Sequence, residues 1–598
     1  MRLVSWERSY RPRNSRLGQP VTTRHSPSMH RFTAAFAFSL IPLAAQTPNV
    51  LLVVADDVGV DSIGCYGLGS NPPPTPAIDA LAARGIRFAN AQACPLCSPT
   101  RASVLTGRHC FRTGVGTALM NGPGLAASEV LLPEILGPAG VQTALMGKWH
   151  LGTDLGALTP TAEGFGTFTG SLGGTLPSYY QWAKVENGVS ATSTIYATTD
   201  AVDEALTFVA ATAQPWFLML SFNSGHSPYE APPAALHTQN LAGLNPATMP
   251  IPFFKAMVQA MDNELNRFLT TLPPATLANT TVIFLGDNGT TSAVTQAPFI
   301  PQRSKGTIYQ GGIRVPLIVA GPAVGGAPRV ESALVHAVDL FATIASLQGA
   351  ALPSNVTLDT ISATALLGAA GQPAPRTFSY SQRFAGSTAM AASGDTEMIR
   401  NGQFEVLRFV QAALTVREEM YDLTVDPWEN TNLLLQPLSA TASEAYRTLR
   451  RELAKLRGYA WSASYGTACS GGGLSPTLAV LGTSTPTIGT TFNLRVQGLS
   501  ASVLATVGAI GFQNTTWNGS PLPVDLSTIG MTGCSLWVDP VLTTVLTQTL
   551  TTAAMPIVLP NSSSIIGAAL FAQAFPLAAN VNPAGILATG AIEAIVGG

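Results

Sequence analysis

Five short apolar runs constrain this chain most strongly: NVLLVVADD at 49–57, VQTALMG at 141–147, WFLMLSF at 216–222, TVIFLGD at 281–287 and VPLIVAG at 315–321. Each has the length and near-continuous apolar character of a strand buried on both faces. Amphipathic stretches at 76–84, 199–211, 252–269 and 336–347 lie between or after them, and Pro76 following Thr75 marks a helix start. This interleaving predicts an α/β fold, a mostly parallel or mixed sheet sandwiched by helices. Ligands in such folds bind beyond the carboxyl ends of the strands. Three runs deliver polar residues there: Asp56-Asp57, Lys148-Trp149-His150 and Asp287-Asn288.

The 598 residues are more than one domain requires, and the formal net charge of −2 excludes a general nucleic-acid binder. No 18-residue apolar run follows the N-terminus, so no stable membrane span is expected. Residues 1–28 carry six arginines, after which Met29 opens MHRFTAAFAFSLIPLAAQ. A basic start, an apolar stretch and small residues before Gln46 give the layout of a signal peptide cleaved after Ala45, with translation starting at Met29. Residues 1–45 are thus expected to be an upstream extension and signal peptide, and the protein to be exported to the periplasm or outside the cell. From 46 to 458 runs the α/β region, with a small C-terminal subdomain at about 376–458. Beyond it, residues 459–598 hold only four charged side chains, Arg495, Asp525, Asp539 and Glu593. Their short alternating runs, punctuated by Gly and Pro, predict an all-β sandwich-like accessory domain. Its two cysteines, Cys469 and Cys534, can clamp it in an oxidising compartment.

One string stands out: Cys97-Ser98-Pro99-Thr100-Arg101, continuing Ala-Ser-Val-Leu-Thr-Gly to Arg108. Pro99 fits the first turn of a helix, which places Cys97 at a helix N-terminus favourable to an anion, with Arg101 close enough to reach back to it. Here the chain resembles the sulfatases, the cysteine-type enzymes of the alkaline-phosphatase-like superfamily. The resemblance extends through NVLLVVADDVG, GKWHLG (147–152), GDNG (286–289), KGTIYQGGIRVP (305–316) and YDLTVDPWENTNLL (421–434), and so covers roughly 48–458. It implies that a separate formylglycine-generating enzyme oxidises Cys97 to Cα-formylglycine, whose aldehyde hydrates to a gem-diol.

Oxygen-rich residues at strand ends suit a hard cation, and no Cys/His zinc spacing is present. Adjacent acids on a strand point to opposite faces, so Asp56 and Asp57 meet one ion only if the strand breaks, which Val58-Gly59 permits. The resemblance implies that Asp56, Asp57, Asp287, Asn288 and residue 97 hold one divalent cation, Ca²⁺ rather than Mg²⁺. Of the five lysines (148, 184, 255, 305, 455), Lys148 and Lys305 fall in Gly-flanked motifs. An ammonium suits a sulfate oxygen, and a histidine passes a proton near neutral pH. His226 follows an apolar strand in FNSGHSPYEAP, whereas His109 and His336 read as structural, His109 at most supporting the site from behind.

The mechanism this implies is covalent. Asp287 and the metal activate one hydroxyl of residue 97 for attack on sulfur, while Arg101, Lys148 and Lys305 neutralise the sulfate. His226, with Lys305, protonates the leaving alcohol or phenol; His150 takes a proton from the second hydroxyl and sulfate is expelled. The expected function is hydrolysis of sulfate monoesters, either aryl sulfate or sulfated carbohydrate. A phosphate or phosphonate monoester hydrolase is the rival enzyme reading, and a non-catalytic sulfated-glycan-binding surface protein the rival of another class. Specificity is expected from the loops at 153–196 and 227–250, where Tyr179 and Tyr180 offer rings for stacking or for packing. The family usually carries Glu where Gln310 stands, which alters a supporting contact to a basic neighbour. Cys65, Cys94 and Cys110 have no unique pairing.

Overall fold

The computed structural model describes residues 47–119, 122–213, 215–326, 328–385 and 393–598. The expected signal segment lies in residues 1–46, outside the described residues. The centre is a ten-stranded sheet of β1 (Asn49–Ala55), β2 (Ile86–Gln92), β3 (Gln142–Lys148), β4 (Thr167–Ser171), β5 (Trp182–Glu186), β6 (Val189–Ser193), β7 (Trp216–Ser221), β8 (Thr280–Gly286), β9 (Leu317–Ala320) and β10 (Arg329–His336). They lie in the order β10-β2-β9-β8-β1-β7-β3-β4-β5-β6. The neighbours β8, β1, β7, β3 and β4 are parallel, while β9 runs antiparallel to both β8 and β2.

The apolar runs form strands because both faces of the sheet are covered. Along β1, Val50, Leu52 and Val54 enter one core, and Leu51, Val53 and Ala55 enter the other. The first core is closed by α2 (Cys97–Thr106) and α5 (Asp339–Leu347), the second by α1 (Pro76–Arg84), α3 (Ala197–Ala211) and α4 (Pro250–Thr271). All ten residues of α2 are buried, and the helix ends at Gly107 in the left-handed conformation. The strands not foreseen are those with mixed polarity. β2 reads IRFANAQ, and β5 and β6 form a largely exposed hairpin turning at Asn187-Gly188, both at positive φ. β10 takes residues through His336, so α5 starts only at Asp339, whose carboxylate accepts from the His336 N–H at 2.9 Å.

A second, four-stranded antiparallel sheet spans Ser379–Arg383, Thr396–Arg400, Phe404–Val410 and Val416–Asp422, and α6 (Ala440–Arg457) packs on it. Beyond α6, a five-stranded and a four-stranded antiparallel sheet enclose a separate apolar core, with a disulfide joining Cys469 to Cys534. Buried Glu593 of this region pairs with Arg447 and Arg451 on α6. No helix among the described residues is long and apolar enough to cross a membrane.

Behind α2, His109 and His336 sit edge to face with ring centroids 5.4 Å apart, and His109 also meets Tyr380 at 5.1 Å. Burial pushes both imidazoles well below the usual 6.5, helped by Arg376 for His109 and by His109 itself for His336. The unfolded chain takes up protons on both as pH falls through 6.5, while the folded chain does not. Their contribution is therefore complete above that pH and is lost as pH drops toward the lowered folded values. Stability is expected to fall by up to about 1.4 kcal/mol per pH unit per histidine in that window. Urea melts at pH 7 and below 6 read this slope, and His109→Phe is expected to reduce it.

Candidate active site

The three polar strand ends converge. β1 stops at Ala55, and Asp57 takes a left-handed φ of 61°, so the strand breaks at the acid itself and both Asp56 and Asp57 turn inward. The Asp57 N–H donates to Asp287 Oδ1 at 3.1 Å, tying the ends of β1 and β8 together. After β3, His150 also has positive φ, 59°. Lys148 and His150 thereby reach the site while Trp149 packs in the core and donates its indole N–H to the Gly152 carbonyl.

Each acid has a cationic partner. Lys148 Nζ lies 2.6 Å from Asp56 Oδ2, with both side chains fully buried, and Lys305 Nζ lies 2.6 Å from Asp57 Oδ1. Arg101 Nη2 meets Asp287 Oδ2 at 2.9 Å. Asn288 Nδ2 donates to Asp57 Oδ1 at 2.9 Å. Against its own burial, the Lys305 ammonium is pushed up by Asp57 and by the nearby Cys97 and Asp56. Burial and the Asp56 carboxylate push the Asp287 carboxyl up, opposed by Arg101, Lys148 and Lys305.

Cys97 opens α2 at the centre of this group. Its Sγ and one carboxylate oxygen each of Asp56 and Asp287 all lie within 4.8 Å of one another. Burial pushes the Cys97 thiol up, with Lys148 opposing. Its Sγ is 3.2 Å from His150 Nδ1, while His150 Nε2 is 2.8 Å from the Leu119 carbonyl. A carbonyl only accepts, so the proton sits on Nε2 and the Nδ1 lone pair faces residue 97. Burial, then Lys148 and Arg101, hold this imidazole well below its ordinary range, which keeps it a neutral acceptor. By the same reasoning His226 carries its proton on Nδ1, 2.8 Å from the Ser227 carbonyl, and turns Nε2 toward Asp57 Oδ2 at 3.8 Å.

The donor set fits a hard cation. Asp56 Oδ1, Asp57 Oδ2 and Asn288 Oδ1 are buried oxygens with no hydrogen-bond partner, and a buried acceptor left unpaired costs free energy unless something else satisfies it. Next to the acids lies a pocket of about 260 Å³ lined by Cys97, His150, His226, Lys305 and the turn Leu172 to Thr175.

Arg101 and Lys148, both expected to neutralise the sulfate, are buried behind the acids and outside the pocket lining. Arg101 lies 1% exposed; it donates to Ser221 Oγ at 2.5 Å and to the Lys148 carbonyl at 3.1 Å besides holding Asp287. Tyr179 is a packing residue, its hydroxyl donating to the carbonyls of Asn223 and His226, and the glycines beside it form the pocket wall. Gln310 lies outside the pocket, where Nε2 donates to Glu405 at 2.8 Å and Oε1 faces Arg400 at 3.4 Å. An amide can answer an acid and a base together, whereas a carboxylate cannot donate to Glu405. Ser221 and the Leu119 carbonyl were not foreseen, since neither carries a distinctive motif.

A Cβ on Gly174 would stand 2.2 Å from His150 Nε2. Gly174→Ala is therefore expected to displace the imidazole and lower kcat by roughly 10²-fold. Its melting curve should stay close to that of the unaltered protein.

The family model described as Sulfatase matches residues 48–350. The chain belongs to the sulfatase family. It is 33% identical over 361 residues to N-acetylgalactosamine-6-sulfatase of Sus scrofa, covering 53% of this chain and 65% of that protein. It is 30% identical to arylsulfatase A of Homo sapiens, covering 65% of this chain and 84% of the human one. Among solved structures, Ps i-CgsB in complex with k-i-k-neocarrahexaose superposes with a TM-score of 0.56 at 25% identity, covering 69% of this chain and 93% of that one. The sheet and its flanking helices are those of the alkaline-phosphatase-like sulfatase fold.

Proposed function

We propose that this protein is an exported sulfuric ester hydrolase that cleaves sulfate monoesters of carbohydrates, using residue 97 as Cα-formylglycine together with one divalent cation, Ca²⁺ before Mg²⁺. The observation that carries the reading is the group of unpartnered buried oxygens on Asp56, Asp57 and Asn288, set against Cys97 at the floor of a pocket that also holds Lys305 and His226. The name of the pig relative and the neocarrahexaose bound to the Ps i-CgsB structure support a carbohydrate ester, and the name of the human relative, arylsulfatase A, supports an aryl sulfate as the second reading.

Asp56, Asp57, Asp287 and Asn288 would hold the cation, whose charge, with the hydrated aldehyde at position 97, supplies a nucleophile and an electrophilic clamp on sulfate. The chain's own residues do the rest. Lys305 presents its ammonium to the pocket and offsets sulfate charge. Lys148 and Arg101 act from behind the acids, fixing Asp56 and Asp287. His226 Nε2, beside Asp57, delivers a proton to the departing oxygen when the ring is charged. His150 Nδ1 accepts the proton that residue 97 releases as sulfate leaves. Maturation requires a formylglycine-generating enzyme, and the accessory sheets at 459–598 stand apart from this chemistry.

The test is desulfation of a panel of sulfated polysaccharides and an aryl sulfate beside an aryl phosphate, with calcium present. Sulfate release is expected, with the phosphate ester the poorer substrate. An aryl phosphate kcat/KM equal to or above that of every sulfate ester would instead identify a phosphomonoesterase.

A further inference from the structure

Cys94 and Cys110 flank the helix that Cys97 opens. Cys94 lies between β2 and α2, and Cys110 lies just beyond the end of α2. Their Sγ atoms are 2.8 Å apart, and both side chains are 1% exposed in a small cluster closed by Phe384. That separation is inside the contact distance of two unbonded sulfurs, though longer than the ~2.05 Å of a bond. We propose that Cys94 and Cys110 form a second disulfide, which ties together the two ends of α2 and withdraws Cys94 from the thiol at position 97.

Three further observations support the bridge. The chain already holds one disulfide, Cys469–Cys534, as expected of a protein folded in an oxidising compartment. The Thr100 hydroxyl donates to the Cys94 carbonyl at 3.2 Å, and the Ser103 hydroxyl lies 3.7 Å from the Cys94 sulfur, so α2 itself holds Cys94 toward Cys110. Cys97 points the other way, to His150. The pairing also accounts for the cysteine count. With two bridges and residue 97 assigned, Cys65 alone stays a thiol.

The second half of the proposal follows from spacing. Cys94-Pro95-Leu96-Cys97 is a Cys-x-x-Cys sequence, the arrangement in which two thiols readily oxidise to each other. During export a Cys94–Cys97 bond would compete with any modification of Cys97. Pairing with Cys110 removes that partner. In the oxidation two S–H bonds break and one S–S bond forms, and two electrons and two protons pass to a protein disulfide oxidant, which leaves as its dithiol. The bridge does not depend on the proposed function; its benefit to Cys97 does.

The experiment is a non-reducing tryptic map of the full exported chain, denatured in the presence of the alkylating reagent so that buried thiols are captured as they open. The peptide 88–101 is expected joined to 109–112, whatever occupies position 97, and freed by reductant. Alkylated Cys94 and Cys110 in protein whose Cys469–Cys534 bond is intact would overturn the bridge. In Cys110→Ser, a several-fold rise in unconverted residue 97 is expected, trapped as a Cys94–Cys97 bond within 88–101, and Cys94→Ser in addition should restore conversion. Full conversion in Cys110→Ser overturns the protective role. Unmodified Cys97 in the bridged, unaltered protein counts instead against the function proposed above and leaves the bridge standing.

Discussion

Cys97→Ala is expected to abolish turnover, by on the order of 10⁵–10⁶-fold in kcat, while the fold survives. The residue is 1% exposed and opens α2 beside Asp56 and Asp287, so its loss removes the side chain proposed to become the nucleophile between those acids and His150. Alanine is a good helix former, and the deleted atom is a single sulfur, so the structural cost is small. Steady-state sulfate release reads the loss, and a thermal melt reads the fold. Multiple turnover by Cys97→Ala above about a hundredth of the starting rate would show that the chemistry proceeds through some other group.

Removal of the divalent cation is the second large effect. Chelation is expected to lower kcat by roughly 10³-fold or more, because electrophilic stabilisation of the sulfuryl group is lost. It should also lower stability, since a cation held as proposed would bind only the folded arrangement of Asp56, Asp57, Asp287 and Asn288. At calcium a hundredfold above its Kd the stabilisation is about 2.7 kcal/mol, read as a rise in Tm. Asp287→Asn keeps the shape of the side chain and removes its charge, and should abolish most of the calcium-dependent rise. Equal Tm with calcium and with chelator, together with undiminished turnover, would mean that the unpartnered oxygens of Asp56, Asp57 and Asn288 serve another purpose.

Much of this site was readable from residues because the apolar runs are buried on both faces and their polar ends have only one place to go. β1, β3, β7 and β8 each lie within two residues of the expected bounds. The break after β1 was expected at Val58-Gly59 and falls at Asp57, because the pull of Asp287 on its N–H holds an aspartate in a conformation that a glycine usually supplies. Arg101 was expected to reach an anion. One helical turn from Cys97, it does so, but the anion is Asp287. Contacts made by backbone left no trace in the sequence: the Leu119 carbonyl that fixes the His150 tautomer, and the Gly173-Gly174 wall. The polar strand β2 and the exposed hairpin β5–β6 were missed because tertiary pairing, rather than an apolar period, makes them strands.

The most direct test of the account is the mass of the tryptic peptide 88–101 from active, reduced protein. The account predicts a peptide lighter than the encoded one because the Cys97 methylene thiol has become an aldehyde, in proportion to specific activity across preparations. Full activity in a preparation whose residue 97 is entirely unmodified cysteine would contradict it.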